Sequence, residues 1–172
     1  TPIAALTRST SILVVNPAVP AKSVAELVAL AKAQPGKLDY ASGASGAAAH
    51  LSAELFKSLA GVNIVRITYK GTGPGLNALM GGEVQLMFPA AGAVVSHVKS
   101  GRLRALAVTS ANPSALAPGL PTVAASGVPG YEAVGMTSLF APAGTPSAIV
   151  AQLNRETSRA LNRPDVRERC FA

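Results

Sequence analysis

The sequence predicts an α/β fold, a doubly wound and mostly parallel sheet flanked by helices. Three observations predict it. Short apolar runs rich in β-branched residues alternate with Ala-rich amphipathic segments along residues 12–109, with short links between them. Of the 172 residues, 49% are hydrophobic and 13% charged, against roughly 25% charged in ordinary globular domains, which fits strands covered on both faces. Glycine-rich turns at 43–46 and 71–75 each follow a strand-like run and open a helix. In doubly wound sheets ligands bind off the carboxyl ends of strands, where both turns lie.

Each element has its own signal. Ile12-Leu13-Val14-Val15, stopped by Asn16-Pro17, predicts a buried strand. Ser23 and Glu26 have capping-box spacing: Ser23 accepts from the Glu26 amide while the Glu26 carboxylate reaches back. The helix they start carries Val24, Leu27, Val28 and Ala31 on one face and ends before Pro35-Gly36. Residues 38–42 predict the next strand. A helix from about Ala47 to Ala60 follows, with Gly61 just past its end and Leu51, Leu55, Phe56 and Leu59 as its buried face. Residues 63–68 predict a strand, the second glycine-rich turn opens a short helix ended by Gly81-Gly82, and 84–88, 90–99 and 104–109 predict strand, helix and strand.

The rhythm changes after Ser110. Residues 112–129 hold four prolines and a short helix over 121–126, and 131–141 form an extended run. Thr145 as N-cap with Pro146 at the first helical position starts a helix to about Leu161, and Pro164 starts another. The compact α/β unit spans roughly 10–130, and both ends leave it.

Composition narrows the function. No apolar run reaches 18 residues, so no membrane span is expected. The net charge of +7 invites a nucleic-acid reading, but the basic residues are scattered and aromatics make up 4%, so no basic-aromatic platform forms and no nucleic acid is expected. Cys170 is the single cysteine and reads as a packing residue; no zinc spacing exists, and neither metal nor cofactor is expected.

The stretch from Tyr40 to His50 carries most of the functional information. A glycine- and alanine-rich loop entering a helix leaves orphan N–H groups at the positive end of the helix dipole, which suits an anion. Ser42 and Ser45 are potential nucleophiles, but Gly43-Ala44-Ser45-Gly46-Ala47 lacks the G-x-S-x-G spacing of a nucleophile elbow. His50 and Glu54 share a helix face at i, i+4 without a second pair to complete a metal site, and His50 reads as a structural residue bonded back into the loop. Lys70, after Tyr69 at a strand end, reads equally as a carboxylate partner or a solvated turn residue. The second turn is neither GxGxxG nor GxxxxGK[ST], so nucleotide binding by those routes is not expected.

Leu38-Asp39-Tyr40-Ala41-Ser42-Gly43, Gly46, His50-Leu51 and Glu54-Leu55-Phe56 together form an ordered pattern. So do Tyr69-Lys70-Gly71-Thr72-Gly73-Pro74 with Leu79 and Gly81-Gly82, Gly101 to Ser110, and Leu120-Pro121-Thr122-Val123 with Phe140-Ala141-Pro142-Ala143-Gly144-Thr145-Pro146. The whole resembles the substrate-binding receptors of the tripartite tricarboxylate transporters, the Bug proteins. The resemblance implies a type II periplasmic binding protein that captures a small organic acid (a di- or tricarboxylate, amino acid or aromatic acid) between two lobes for membrane transporter subunits. It implies a periplasmic location and no catalysis.

On that pattern, residues 1–8 are a strand from lobe one, 9–130 the ligand-binding lobe two, 131–140 the return crossover and 141–172 part of lobe one. The rest of lobe one, a signal peptide and the last helices are expected outside this stretch. The implied ligand-binding residues are Ser42, Gly43, Ala44, Ser45, Gly46, Ala47 and Ala48 in the first loop, Tyr69, Lys70, Gly71 and Thr72 in the second, and Thr137 and Ser138 on the returning strand. Ala47 and Ala48 stand where similar proteins often carry Ser or Thr, and Ala49 where they carry a polar residue, which implies a grip made mainly by backbone; with Pro89 in place of a frequent Asp, the ligand is expected to be less polar, or held more through water, than in the average member. A chain cut from its partner lobe is expected to self-associate or exchange elements. The alternatives are a serine hydrolase or acyltransferase using Ser42 or Ser45, and the effector-binding part of a transcriptional regulator.

Overall fold

The computed structural model of the chain describes residues 1–166. In chain order the elements are β1 (Pro2–Thr10), β2 (Ile12–Val15), α1 (Val24–Ala33), β3 (Asp39–Ser42), α2 (Ala48–Ala60), β4 (Val65–Thr68), α3 (Thr72–Gly81), β5 (Leu86–Met87), α4 (Ala91–Lys99), β6 (Arg104–Val108), a 3-10 turn (Ala124–Ser126), β7 (Val134–Phe140) and α5 (Ser147–Leu161). Two compact units share them: residues 10–135, and residues 1–9 with those from 136 onward.

The larger unit is a five-stranded sheet in the order β4-β3-β5-β2-β6. β3 is parallel to both β4 and β5, whereas β2 is antiparallel to β5 and β6. Four strands therefore run one way and β2 runs against them, a reversal that hydrophobic periodicity cannot reveal because it carries no strand direction. All four β2 side chains are buried, as a central strand covered on both faces requires. Alternation then sorts the core: Leu13, Val15 and Tyr40 pack with Leu27, Phe56 and Tyr131 on one face, while Val14, Ala41 and Met87 pack with Leu79 and Val94 on the other. Helices α1 and α2 cover the first face, α3 and α4 the second. Gly75 lets α3 approach closely, since a Cβ there would lie 3.2 Å from Met87 Cε and 3.4 Å from the Ala41 Cβ.

Several sequence expectations shift. Ser23 caps α1 by accepting from the Glu26 amide at 3.2 Å, but the Glu26 carboxylate accepts from the Lys22 amide at 2.7 Å, one residue ahead of the cap. The buried residues of α2 are Ser52, Ala53, Phe56 and Ala60, whereas Leu51 and Leu59 of the expected face are 57% and 44% exposed. The small side chains bring the helix close to the sheet, and Phe56 fills the centre against Phe88 and Tyr131, with ring centroids 5.7 and 6.3 Å apart. The helix expected over 121–126 is only the 3-10 turn.

In the smaller unit, β1 pairs with β7. Ala141 N donates to Thr1 O at 2.8 Å, and Asn154 Nδ2 on α5 donates to Ile3 O at 2.6 Å. Pro146, not Thr145, is the N-cap of α5: Thr145 spends its hydroxyl on Pro142 O at 2.9 Å, closing the preceding turn. No residue of α5 is buried, and Met136, Phe140, Ile149 and Leu153 are exposed. The segment from Pro164 is helical through Val166; Cys170 lies outside the described residues.

Candidate ligand-binding site

Three strands of one direction end together. β3 is followed in sequence by β4, its neighbour on one side, and then by β5, its neighbour on the other. The connections therefore diverge around β3, which opens a crevice at its carboxyl end. The first glycine-rich loop occupies that place. Ser42, the last residue of β3, is buried and in register with Thr68 of β4. Tyr69 N donates to Ser42 O at 2.9 Å, which ties the second glycine-rich turn to the first.

Beyond Ser42 the backbone turns into α2. Ala47 N donates to Ala44 O at 3.1 Å, and Ala47 is the N-cap of α2 with no side-chain cap bond. Among the described residues, no hydrogen bond uses the amides of Gly43, Ala44 or Ser45. Ala48 and Ala49 open α2, and the first amides of a helix have no acceptor within it. The loop therefore presents a row of N–H groups at the positive end of a 13-residue helix, with only small side chains beside them.

One loop amide is already spent. Gly46 N donates to His50 Nδ1 at 3.1 Å, as a structural role for His50 requires, and this fixes Nδ1 as the unprotonated nitrogen. Gly46 holds φ at +80°, a conformation that side chains other than glycine adopt at a cost. Glu54 does not join His50 in a metal pair. Its carboxylate accepts from the Tyr40 hydroxyl at 2.6 Å and from Lys57 Nζ at 2.9 and 3.1 Å. The Tyr40 hydroxyl holds the Glu54 carboxyl below the usual carboxylate range, with Lys57 assisting against burial. Burial, then the Glu54 carboxylate, pushes the Tyr40 phenol up.

The structure adds a residue that the sequence reading missed. Arg66, in the middle of β4, pairs in register with Tyr40 and lies over the loop. Its Nε donates to Ser42 Oγ at 2.6 Å, Nη1 to Ser45 Oγ at 3.0 Å and Nη2 to Gly43 O at 2.7 Å. The available signal was a cation inside the apolar run Ile64-Val65-Arg66-Ile67, on the strand next to the loop. These bonds bear on catalysis. Both hydroxyl oxygens accept from a cation, and no described base accepts their protons, which is opposite to the activation of a serine nucleophile.

The other expected residues are placed unevenly. Gly71 is the N-cap of α3 with φ +107°, and Thr72 is its first residue; Lys70, Gly71 and Thr72 are exposed. Burial, with Glu83 and Asp39 nearby, pushes the Tyr69 phenol up. Thr137 and Ser138 are carried by β7 in the other compact unit.

The sequence profile of the "Tripartite tricarboxylate transporter family receptor" matches residues 1–171. The chain belongs to this family. It is 41% identical over 150 residues to Protein BugT of Bordetella pertussis, a match covering 87% of this chain and 46% of that protein. Among solved structures, Rpa4515 of R. palustris with adipate superposes with a TM-score of 0.87 at 38% identity, covering 96% of this chain and 56% of the other. MatC (Rpa3494) of Rhodopseudomonas palustris with bound malate superposes with a TM-score of 0.89 at 33% identity, covering 98% and 57%. The periplasmic binding-protein fold expected from the resemblance holds. The chain spans about half the length of the curated relatives it matches.

Proposed function

We propose that the protein is a periplasmic solute receptor that captures a small organic carboxylate, without catalysis, and hands it to the membrane subunits of a tripartite tricarboxylate-type transporter. Residues 10–135 supply one wall of the binding cleft. The observation that carries this reading is the group of unspent amides at Gly43, Ala44 and Ser45, set with the Ser42 and Ser45 hydroxyls at the carboxyl end of β3. The carboxylate sits on these amides and on the first amides of α2 at Ala48. The turn from Tyr69 to Thr72 borders the same place. The adipate and malate held by the two Rhodopseudomonas proteins support the ligand class.

Calorimetry on the full-length protein, with a panel of mono-, di- and tricarboxylates including adipate and malate, tests the reading. Binding of at least one acid, together with no labelling of Ser42 or Ser45 by a fluorophosphonate, is expected. Labelling of either serine, or failure of every acid to bind, refutes it. The 172-residue chain alone is expected to self-associate through exposed Met136, Phe140, Ile149 and Leu153, and a strictly monomeric species in light scattering at high concentration contradicts that.

A further inference from the structure

We propose that Arg66 is the positioning residue of the carboxylate loop, and that it makes the site take an ionised, unsubstituted carboxylate by turning both serines into hydrogen-bond donors. The inference rests on the receptor reading above and adds the residue that sets its specificity. A serine hydroxyl has one hydrogen to give and lone pairs to receive. Arg66 occupies the receiving side of both: Nε–H on Ser42 Oγ at 2.6 Å and Nη1–H on Ser45 Oγ at 3.0 Å. The Ser42 hydroxyl has one further contact, with Gly43 O at 3.5 Å, the outer limit of a hydrogen bond. The Ser45 hydroxyl has no acceptor among the described residues. The exposed Ser45 hydroxyl therefore has its hydrogen free for a ligand, while buried Ser42 gives its own only to the long bond with Gly43 O and can redirect it, and accepting from a cation makes each hydroxyl a stronger donor.

The third contact, Nη2–H on Gly43 O at 2.7 Å, holds the peptide that carries the Ala44 amide, between the amides of Gly43 and Ser45. Arg66 thus fixes the loop backbone and the hydroxyl polarity together. A guanidinium has five N–H groups and these bonds use three, so its charge stands behind a surface of donors. The amides of Gly43, Ala44 and Ser45 and the two serine hydroxyls all donate. A carboxylate, acceptor-only in its ionised form, satisfies such a surface; a carboxamide or protonated amine brings hydrogens with no acceptor to meet them. Arg66 is suited to the task where lysine is not, because its planar fork reaches two hydroxyls and a carbonyl at once.

A double-mutant cycle on the full-length protein tests this, read by calorimetry with the tightest binder among acetate, succinate, malate, glutarate, adipate and citrate. Arg66→Gln is expected to weaken that acid by about 10- to 100-fold, the loss associated with hydrogen bonds to charged groups. Ser42→Ala with Ser45→Ala is expected to weaken it by a similar factor. Because Arg66 acts through the hydroxyls, adding Arg66→Gln to the serine pair is expected to cost only about threefold more. A merely structural arginine gives multiplicative losses, and that result, or wild-type affinity in Arg66→Gln, overturns the proposal. Arg66→Lys keeps the charge and guards against misfolding; it is expected to bind between the wild type and Arg66→Gln, and wild-type affinity there overturns the positioning role. If the unaltered protein binds none of these acids, the receptor reading falls and this inference with it. Binding by the unaltered protein with an inert Arg66 refutes this inference alone.

Discussion

Gly43→Val separates the binding surface from the fold. Gly43 needs no left-handed backbone, and a Cβ built there meets nothing within 4 Å. Its carbonyl, which accepts from Arg66 Nη2, is untouched by the change. Stability is therefore expected to move by no more than about 0.5 kcal/mol. The added isopropyl group is expected to fill open space beside the amides of Gly43 to Ser45 and to keep a carboxylate from them. A carboxylate displaced from two of them loses about 1.5–3 kcal/mol for each charge-assisted bond, together roughly 3–6 kcal/mol or a factor of about 10² to 10⁴ in Kd. Gly46→Val is the contrast. Its Cβ also meets open space, but φ of +80° puts a β-branched residue in the left-handed region, so stability falls by about 1–2 kcal/mol in addition to any loss of binding. Calorimetry with the best-binding acid and thermal unfolding without ligand measure the two effects. Wild-type affinity in a folded Gly43→Val protein refutes the placement of the ligand.

Other outcomes follow from the same packing. Phe56→Ala removes the ring between Phe88 and Tyr131 and is expected to cost about 3–5 kcal/mol in denaturant unfolding, whereas Leu51→Ser, on the exposed side of α2, is expected to change stability by about 0.5 kcal/mol or less. Tyr131→Phe leaves Ser52 O without the hydroxyl that donates to it at 3.0 Å and is expected to cost about 1–3 kcal/mol in the same assay. The depressed Glu54 carboxyl contributes stability that is present above its ordinary value of 4.5 and is lost as pH falls through the lowered one. Tyr40→Phe removes the main cause and is expected to flatten the acid side of a stability–pH curve; an unchanged curve contradicts the bond. The raised Tyr40 and Tyr131 phenols act at the other end: their contribution is intact below pH 10.0 and is lost as pH rises further, so alkaline unfolding is expected to begin there.

Most strands and helices were legible because their signals are local. The four-residue run of β2, the cap at Ser23, the glycines at Gly61 and Gly82 and the loop into α2 act within a turn or two. What the sequence concealed depends on partners distant in the chain. The leucine stripe of α2 matched helical periodicity, yet the helix turns Ala53 and Ala60 inward because proximity to the sheet, not side-chain size, selects the buried face. The direction of β2 is set by which strands flank it. Arg66 was missed for the same reason: its meaning arises only when β4 pairs beside β3 and brings a strand cation to serines 24 and 21 residues away.

A crystal structure of the full-length protein with a bound organic acid tests the central claim most directly. The account predicts carboxylate oxygens within hydrogen-bond distance of the amides of Gly43, Ala44 or Ser45 and of the Ser42 or Ser45 hydroxyl, with Arg66 still donating to both serines. An acid bound elsewhere, with these amides facing solvent, contradicts it.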